Sequence, residues 1–397
     1  MLVFYFAVAI VISLGILSLR NGFRFSAYVR EQLRQPTPAY TPFASVIAPT
    51  RGLEVGLREN IEPLLNQNYP EYEVVFVTDR PDDPSVPLIE QVIGRSLRPA
   101  RIVLARAATD SGQKVHNLRI AVSHLDPKSQ VLVFVDTDAR PHKEWLRSLV
   151  ASLHDEHIGA STGYRWFIPT NGSFASHLRS VWNASIASAL GSRGDKNFCW
   201  GGSTAIRRTT FDQLQIHERW RGTVSDDFTV TRVLQEAKLP IHFVPQCFIP
   251  SLDSCNFAEL LEFTNRQLKI TRTYAPHLWR SALIGSLIFT VVFFGGLMWV
   301  AARAVQRQSF VVPLSLLLIV YVLGAVKSYI RLQAVAASLE SYRKQLFASL
   351  PAHVLLWPVA SALFLVNGIV AAFSRRITWR GITYELKSAT EAVIIRE

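Results

Sequence analysis

The triplet Asp136-Thr137-Asp138 closes a very apolar run, QVLVFV at 130–135. Two carboxylates two residues apart, where a strand leaves its sheet, can both reach a hard divalent cation such as Mg2+ or Mn2+. Such a cation bridges carboxylates to substrate phosphates and keeps several waters. A bare DxD is also an ordinary solvated turn, so position has to decide. A second acidic pair, Asp226-Asp227 behind Ser225, precedes a helical pattern of Phe228, Val233, Leu234 and Ala237. Acidic residues there complement the helix dipole. A carboxylate fixed at a helix start is also well oriented to act as a general base. Trp200 followed by Gly201 and Gly202 joins an aromatic face to backbone that a ligand can approach closely, or else to a tight turn. Gln113, Lys114 and Asn117 open another helical pattern. Arg266, Gln267, Lys269 and Arg272 form a basic strip that also suits anionic lipid headgroups.

Missing motifs narrow the chemistry. No GxGxxG or GxxxxGK[ST] follows a strand, so dinucleotide and P-loop sites are excluded, and there is no HExxH. Cys199, Cys247 and Cys255 form no CxxC pair, which excludes a structural zinc site and a disulfide framework. They read as inert core thiols.

The elements that must position these residues alternate. Strand patterns at 44–49 (ASVIAP), 72–78 (YEVVFVT), 101–104 and 130–135 are separated by helical faces, such as Leu57, Ile61, Leu64 and Leu65, or Val115, Leu118, Val122 and Leu125. A helix follows at 143–153. This βαβαβαβ order predicts a parallel sheet with right-handed crossovers. Such sheets bind ligands beyond the carboxyl ends of their strands. Pro49-Thr50-Arg51, Asp79-Arg80 and Asp136-Thr137-Asp138 then share one edge. With no glycine loop there, phosphates must be met by a metal and side chains.

The rest of the chain points to a membrane. Of 397 residues 49% are hydrophobic and only 18% charged, which excludes intrinsic disorder. The net charge of +12 fits nucleic acid, anionic lipid or phosphorylated substrates without choosing among them. Residues 2–19 carry no charge and reach about 27 Å as a helix, close to the hydrocarbon thickness. The run lacks a basic leader and a cleavage site, so it reads as an uncleaved signal anchor. Arg20, Arg24, Arg30 and Arg34 follow it and put the next segment in the cytoplasm. Further apolar runs lie at 281–302, 308–326 and 346–374, the last containing Pro351, His353 and Pro358. Four full spans would leave the C-terminus outside, yet Arg375, Arg376 and Arg380 prefer the cytoplasm. Either the last run re-enters or the tail breaks the rule. The expected organisation is an anchor (1–20), a basic linker (21–43), a catalytic domain (44–275), a membrane block (276–374) with an amphipathic helix at 330–345, and a tail (375–397).

With these residues in order, the chain resembles membrane-bound family 2 glycosyltransferases of GT-A fold. Within them it is most similar to the ceramide glucosyltransferase branch, family 21, and its bacterial lipid-glycosylating relatives. The resemblance implies an α/β, Rossmann-like, mostly parallel sheet domain between a signal anchor and C-terminal transmembrane helices. It implies that residues 45–51, with Pro49, Thr50 and Arg51, bind the nucleotide, that Asp79 contacts the uracil, and that Lys114 lies on the phosphate side. The metal-binding DxD falls on Asp136 and Asp138. Asp227 matches the base aspartate, Asp226 stands where the family has glutamate, and Trp200, Gly201, Gly202 and Asp226 fall on the acceptor side. The closing (Q/R)xxRW motif matches Arg266-Gln267-Leu268-Lys269-Ile270. There Lys269 replaces arginine without its bidentate fork, and Ile270 replaces tryptophan. The tail at 377–381, ITWRG, resembles a tryptophan-arginine tail common in these enzymes.

The implied activity is inverting transfer from a nucleotide-sugar, UDP-linked, to a hydroxyl of a membrane lipid such as a ceramide or hopanoid, with Mg2+ or Mn2+ as cofactor and no nucleic-acid partner. The implied location is a multi-pass integral membrane protein with a cytoplasmic catalytic domain, at the inner membrane if bacterial. A processive polysaccharide synthase is one alternative, opposed by few spans and the altered closing motif. A catalytically silent membrane scaffold is another, opposed by the joint presence of Asp136, Asp138 and Asp227.

Overall fold

The runs 44–49, 72–78 and 131–134 are apolar on successive residues, as strands must be when both faces of a parallel sheet are covered. In the computed structural model, which describes residues 2–54 and 56–396, they are the centre of a seven-stranded sheet. Its strands are β1 (Ala44–Pro49), β2 (Tyr72–Thr78), β3 (Ala100–Leu104), β4 (Val131–Phe134), β5 (Ala160–Ile168), β6 (Thr204–Arg207) and β7 (Ile241–Leu252). The spatial order is β3-β2-β1-β4-β6-β5-β7. β1 pairs in parallel with β2 and β4, and β2 with β3. The expected mostly parallel α/β sheet is therefore present.

The crossover helices Leu57–Leu65, Val86–Ile93 and Gln113–Val122 connect the parallel strands. They bury their apolar faces: Leu57, Ile61, Leu64 and Leu65 on the first, Val115, Leu118 and Val122 on the third. One core joins Ile47, Val75, Val77, Leu132 and Phe134 of the strands to Val115, Leu118, Trp220, Val230 and Leu234. β6 breaks the parallel run. It lies antiparallel to both β4 and β5, with Phe134 opposite Thr204 and Ala160 opposite Ile206.

This sheet belongs to one of two compact units, made of residues 31–166, 190–251 and 375–397. The tail is thus part of the sheet unit. It forms a three-stranded antiparallel sheet of β8 (Arg376–Trp379), β9 (Ile382–Ser388) and β10 (Glu391–Arg396). Ile382, Tyr384 and Leu386 alternate inward on β9 and are buried, the period-2 signature of a strand with one covered face. Trp379 pairs with Ile382, so Arg380-Gly381 is the turn, with φ of +52° and +82°. Two-residue hairpin turns of this hand favour Asn, Asp or Gly.

The second unit comprises the N-terminal segment to Arg30, residues 167–189 and residues 252–374. Among the described residues three helices are long and apolar enough to cross a membrane: Leu2–Arg34, Pro276–Val305 and Val311–Ser338. Their large apolar side chains face outward, for example Phe6, Leu14, Val291, Met298, Leu318 and Val322, which suits a lipid solvent. The first helix runs on to Arg34, through the start of the expected linker. Val311–Ser338 likewise continues into the expected amphipathic stretch, whose remainder is a 3₁₀ turn, Glu340–Tyr342, and the start of a short helix. The last apolar run is three pieces, Arg343–Ala348, Leu350–Leu355 and Trp357–Phe373. Pro351 and Pro358 each sit in a first helical turn, where a missing N–H costs nothing.

Candidate active site

A cation at the start of a helix opposes the helix dipole. Lys114 sits in the first turn of Gln113–Val122 nonetheless, because carboxylates from two other elements hold it there. Its Nζ is 2.8 Å from Oδ1 of Asp136, just past β4, and 3.3 Å from Oδ1 of Asp226, the first residue of the helix Asp226–Glu236. Asp136 is shared. Its Oδ2 accepts from Arg165 of β5 at 3.2 Å, and the same guanidinium reaches both oxygens of Asp138 at 3.3 Å. Arg165 also lies over the Trp200 ring, 4.9 Å from its centroid. The result is a continuous chain, Asp226–Lys114–Asp136–Arg165–Asp138.

Burial alone would neutralise these groups, and their mutual attraction decides which keep their charge. Burial pushes the Lys114 ammonium down, but Asp136, Asp226 and Asp227 outweigh it and hold its pKa above the ordinary range. Burial likewise opposes the charge on Asp136, yet Lys114 and Arg165 hold that carboxyl below its usual value. Asp226 goes the other way: burial raises it, Lys114 only partly compensates, and it rises to about 6.

Asp227 is only half-buried. Its Oδ1 accepts the Phe228 N–H at 2.8 Å and the Ser225 hydroxyl, while Oδ2 accepts the Gly201 N–H at 3.4 Å. The glycines make room for the site itself. A Cβ on Gly201 would stand 2.4 Å from Asp226 Oδ2 and 2.8 Å from Lys114 Nζ, and one on Gly202 would stand 2.2 Å from the Trp200 ring.

On the same sheet edge, Arg51 Nη1 donates to Asp79 Oδ2 at 2.7 Å. Asp79 is buried, and its Oδ1 has no hydrogen-bond partner among the described residues. A buried acceptor without a donor is costly. Pro49 and Thr50 are framework. Pro49 ends the β1 ladder opposite Val77, and its carbonyl accepts from Thr137 Oγ1; the Thr50 N–H donates to Val77 O at 2.8 Å.

The sequence profile of glycosyl transferase family 21 matches residues 2–392. The chain belongs to this family. Among solved structures it is similar to the mannosyltransferase of Pyrobaculum calidifontis in complex with GDP-Man and Mn2+, at 19% identity and TM-score 0.48, covering 93% of this chain and 98% of that one. It is also similar to glucosyl-3-phosphoglycerate synthase of Mycobacterium tuberculosis in complex with Mn2+ and UDP-glucose, at 15% identity and TM-score 0.40, covering 57% of this chain and 77% of that one.

In this family 21 glycosyltransferase the sheet unit holds Arg51 and Asp79 as one pair and Lys114, Asp136, Asp138, Trp200, Gly201, Gly202, Asp226 and Asp227 as one cluster. Arg266, Gln267 and Lys269 belong to the helical unit, on the helix Phe257–Tyr274, which opens with an Asn256–Glu259 capping box. Arg266 pairs there with Glu262 at 3.4 Å, and Ile270, at the family's tryptophan position, is buried. The three cysteines are free and buried, and burial pushes the Cys199 and Cys247 thiols up, away from reactivity.

Sequence reasoning passed over Arg165 and Glu54. Arg165 lies in ASTGYRWFI, whose Ser, Thr, Gly and Arg hide the strand period. The one signal available was an arginine among Tyr164, Trp166 and Phe167. Glu54 follows β1 in a loop and pairs with Arg380.

Proposed function

We propose that this glycosyltransferase inverts the anomeric centre as it moves a sugar from a nucleotide-sugar, UDP-linked, to a hydroxyl of a membrane lipid such as a ceramide or hopanoid. The observation that carries the reading is the Asp226–Lys114–Asp136–Arg165–Asp138 chain with Asp227 at its rim.

The donor set suits a divalent cation. Four carboxylates, Asp136, Asp138, Asp226 and Asp227, meet two cations, Lys114 and Arg165, so negative charge is in excess. Among the described residues no group of three or more His, Cys, Asp or Glu side chains could hold a metal ion. Asp136 and Asp138 would hold Mg2+ or Mn2+ only with substrate phosphates and water completing the shell, as Mg2+ prefers. Bound there, the ion supplies neutralisation of the diphosphate charge that develops as the sugar leaves.

The chain's own residues do the rest. Asp79 Oδ1 offers an acceptor for a base N–H, with Arg51 fixing the carboxylate. Lys114 adds positive charge on the leaving-group side and costs no reorganisation, since Asp136 and Asp226 already hold it. The acceptor oxygen attacks the anomeric carbon from the face opposite the diphosphate, the new C–O bond forming as the old one breaks. Asp227 takes the hydroxyl proton. Two hydrogen bonds already engage its Oδ1, so Oδ2, with its longer contact, is the oxygen for the proton.

Three span-length helices in the same chain support an acceptor that stays in the bilayer. The tail's membership of the sheet unit supports an even number of crossings between the sheet domain and residue 375. Pro276–Val305 and Val311–Ser338 supply two, and the broken segment 343–374 then enters and leaves on one side. With Arg20, Arg24, Arg30 and Arg34 behind the first span, the catalytic unit and tail face the cytoplasm.

The test is UDP release by purified protein on adding lipid, with mass spectrometry of lipids from cells with and without the chain. A single added hexose is expected. Long products would favour a processive synthase, and no release with any lipid would favour a scaffold.

A further inference from the structure

The cations of the helical unit are of two kinds. Arg20, Arg24, Arg30, Arg280, Arg343 and Lys344 are exposed, as cations at a membrane surface are. Arg331 is not. It is 3% exposed, near the end of the helix Val311–Ser338, and its Nε has no hydrogen-bond partner among the described residues. Among the described residues no carboxylate meets it either. The helical unit holds four acidic residues, Asp253, Glu259, Glu262 and Glu340. The first pairs with Arg179, the second closes the capping box, the third pairs with Arg266, and the fourth is exposed.

Lys327 adds to the imbalance. It lies one helical turn before Arg331, and a long side chain on a helix leans over the preceding turn, so the two cations share a face. Lys327 Nζ donates to the Ser18 hydroxyl of the first helix at 2.6 Å, a neutral partner. The surroundings are closely packed. A Cβ on Gly22 would stand 3.2 Å from Lys327 Cγ, and Tyr321 OH donates to the Val354 carbonyl at 3.2 Å. Like charges at this spacing repel, and a buried guanidinium without a counter-charge is strongly unfavourable. Packing alone does not call for one, since an apolar side chain would fill the place at lower cost. An uncompensated ion buried in a membrane segment marks a binding position, and the partner it lacks is an anion.

Depth selects the anion. Arg331 is twenty residues past Val311, about 30 Å along the helix, which is the thickness of the hydrocarbon layer. A guanidinium there stands level with the headgroup phosphates of one leaflet. We propose that Arg331 and Lys327 bind the phosphate of a membrane phospholipid, held beside the first helix as a resident part of the helical unit. The guanidinium fork takes two phosphate oxygens, and the ammonium supplies a second positive charge. This rests on the span reading given above and not on sugar transfer; the lipid bound here is separate from the one whose hydroxyl accepts the sugar.

The test uses the full chain in dodecyl maltoside, stripped of lipid, with dioleoyl phosphatidic acid, dioleoylglycerol and inorganic phosphate as probes. Native mass spectrometry reads binding, and the unfolding temperature is followed beside it. Phosphatidic acid should bind and raise the unfolding temperature. Dioleoylglycerol, with the same chains and no phosphate, and inorganic phosphate should do neither at equal concentration. Arg331→Met should weaken phosphatidic acid binding roughly tenfold. Its lipid-free unfolding temperature should be no lower than wild type, because an unpaired buried charge has gone. Lys327→Met should weaken binding several-fold, and the exposed pair Arg343→Met and Lys344→Met should leave it unchanged. Wild-type affinity in both Arg331→Met and Lys327→Met would overturn the proposal. An equal loss in the exposed pair would overturn it too, since general attraction to anionic lipid would then suffice. Equal stabilisation by inorganic phosphate would remove the lipid as the source of the phosphate. Should Arg331→Met not fold, Lys327→Met and the two lipids on wild type decide: equal binding of phosphatidic acid and dioleoylglycerol overturns the site. Each outcome is independent of UDP release, so failure of the site and failure of the transfer reading are told apart.

Discussion

Two charge clusters occupy the same edge of the sheet and are balanced differently. At one, Asp136, Asp138, Asp226 and Asp227 outnumber Lys114 and Arg165. At the other, Arg51 pairs with Asp79 and Arg380 with Glu54, one cation to each carboxylate. The first is short of positive charge and suits a divalent ion and a proton acceptor. The second is neutral in sum, and with Asp79 Oδ1 lacking a donor among the described residues it suits recognition of a polar ligand group. On the function proposed above, the metal and the chemistry belong to the first cluster and recognition of the nucleotide to the second.

The largest effect should come from the excess carboxylates. Asp138→Ala removes half of the proposed metal-binding pair and takes one carboxylate from Arg165. Transfer should be abolished, and donor affinity should fall in the presence of Mn2+ but little without it. Full activity of the wild type in EDTA would remove the metal from this cluster.

Next comes Asp227→Asn, which keeps the shape and removes the charge. General-base catalysis is worth typically 10²–10⁴-fold, so kcat should fall by about that factor. Donor affinity should hold, because the base meets the acceptor. Asparagine caps a helix nearly as well as aspartate, so a capping role alone would leave the rate near wild type and cost under about 1 kcal/mol of stability. A near-wild-type rate would pass the role to Asp226.

Gly201→Ala tests the packing beneath the first cluster. Its Cβ would fall 2.4 Å from Asp226 Oδ2 and 2.8 Å from Lys114 Nζ, and ion pairs on both sides keep these atoms from moving away freely. Overpacking of this kind costs about 1–3 kcal/mol. Unfolding should shift accordingly, and transfer should fall because Lys114 is displaced. A variant of unchanged stability and rate would show that the pair yields without cost.

How much of this was legible follows the physics of each element. The strands β1, β2 and β4 carry unbroken apolar runs, and the carboxylates at their ends could be read directly. β5 and β6 could not. β5 buries Ser161 and Thr162, satisfied by the Leu149 and Gly163 carbonyls, so its apolar pattern is interrupted. β6 has four residues and takes its place through antiparallel pairing with distant partners. Arg165 was therefore invisible, although it touches both members of the DxD pair. The apolar run 346–374 was legible only in part. Its composition left a full span and a re-entrant segment both open, and its prolines start separate helices. The tail's motif was visible at 377–381, but its contact with Gln113 joins residues 271 positions apart and has no local signature.

The smallest effect concerns Arg165, and it separates the two clusters most sharply. Its guanidinium answers the same two carboxylates that would hold a divalent ion; burial opposes its charge, but Asp138 and Asp136 outweigh burial and hold its pKa above the ordinary value. Where charge is in excess, protein cation and metal compete. Arg165→Met removes the competitor while filling similar space against the Trp200 ring. Two carboxylates left facing each other gain more from a bound cation. Affinity for Mn2+ alone, without nucleotide, should therefore rise by roughly three- to tenfold, measured by calorimetry or by the loss of the free-ion paramagnetic signal. The matching change at the balanced cluster, Arg51→Met, should leave Mn2+ affinity unchanged and weaken nucleotide binding, since Asp79 loses the partner that fixes it. If Arg165→Met instead lowers Mn2+ affinity, Arg165 holds Asp136 and Asp138 in position for the ion, and the charge excess is not what draws it.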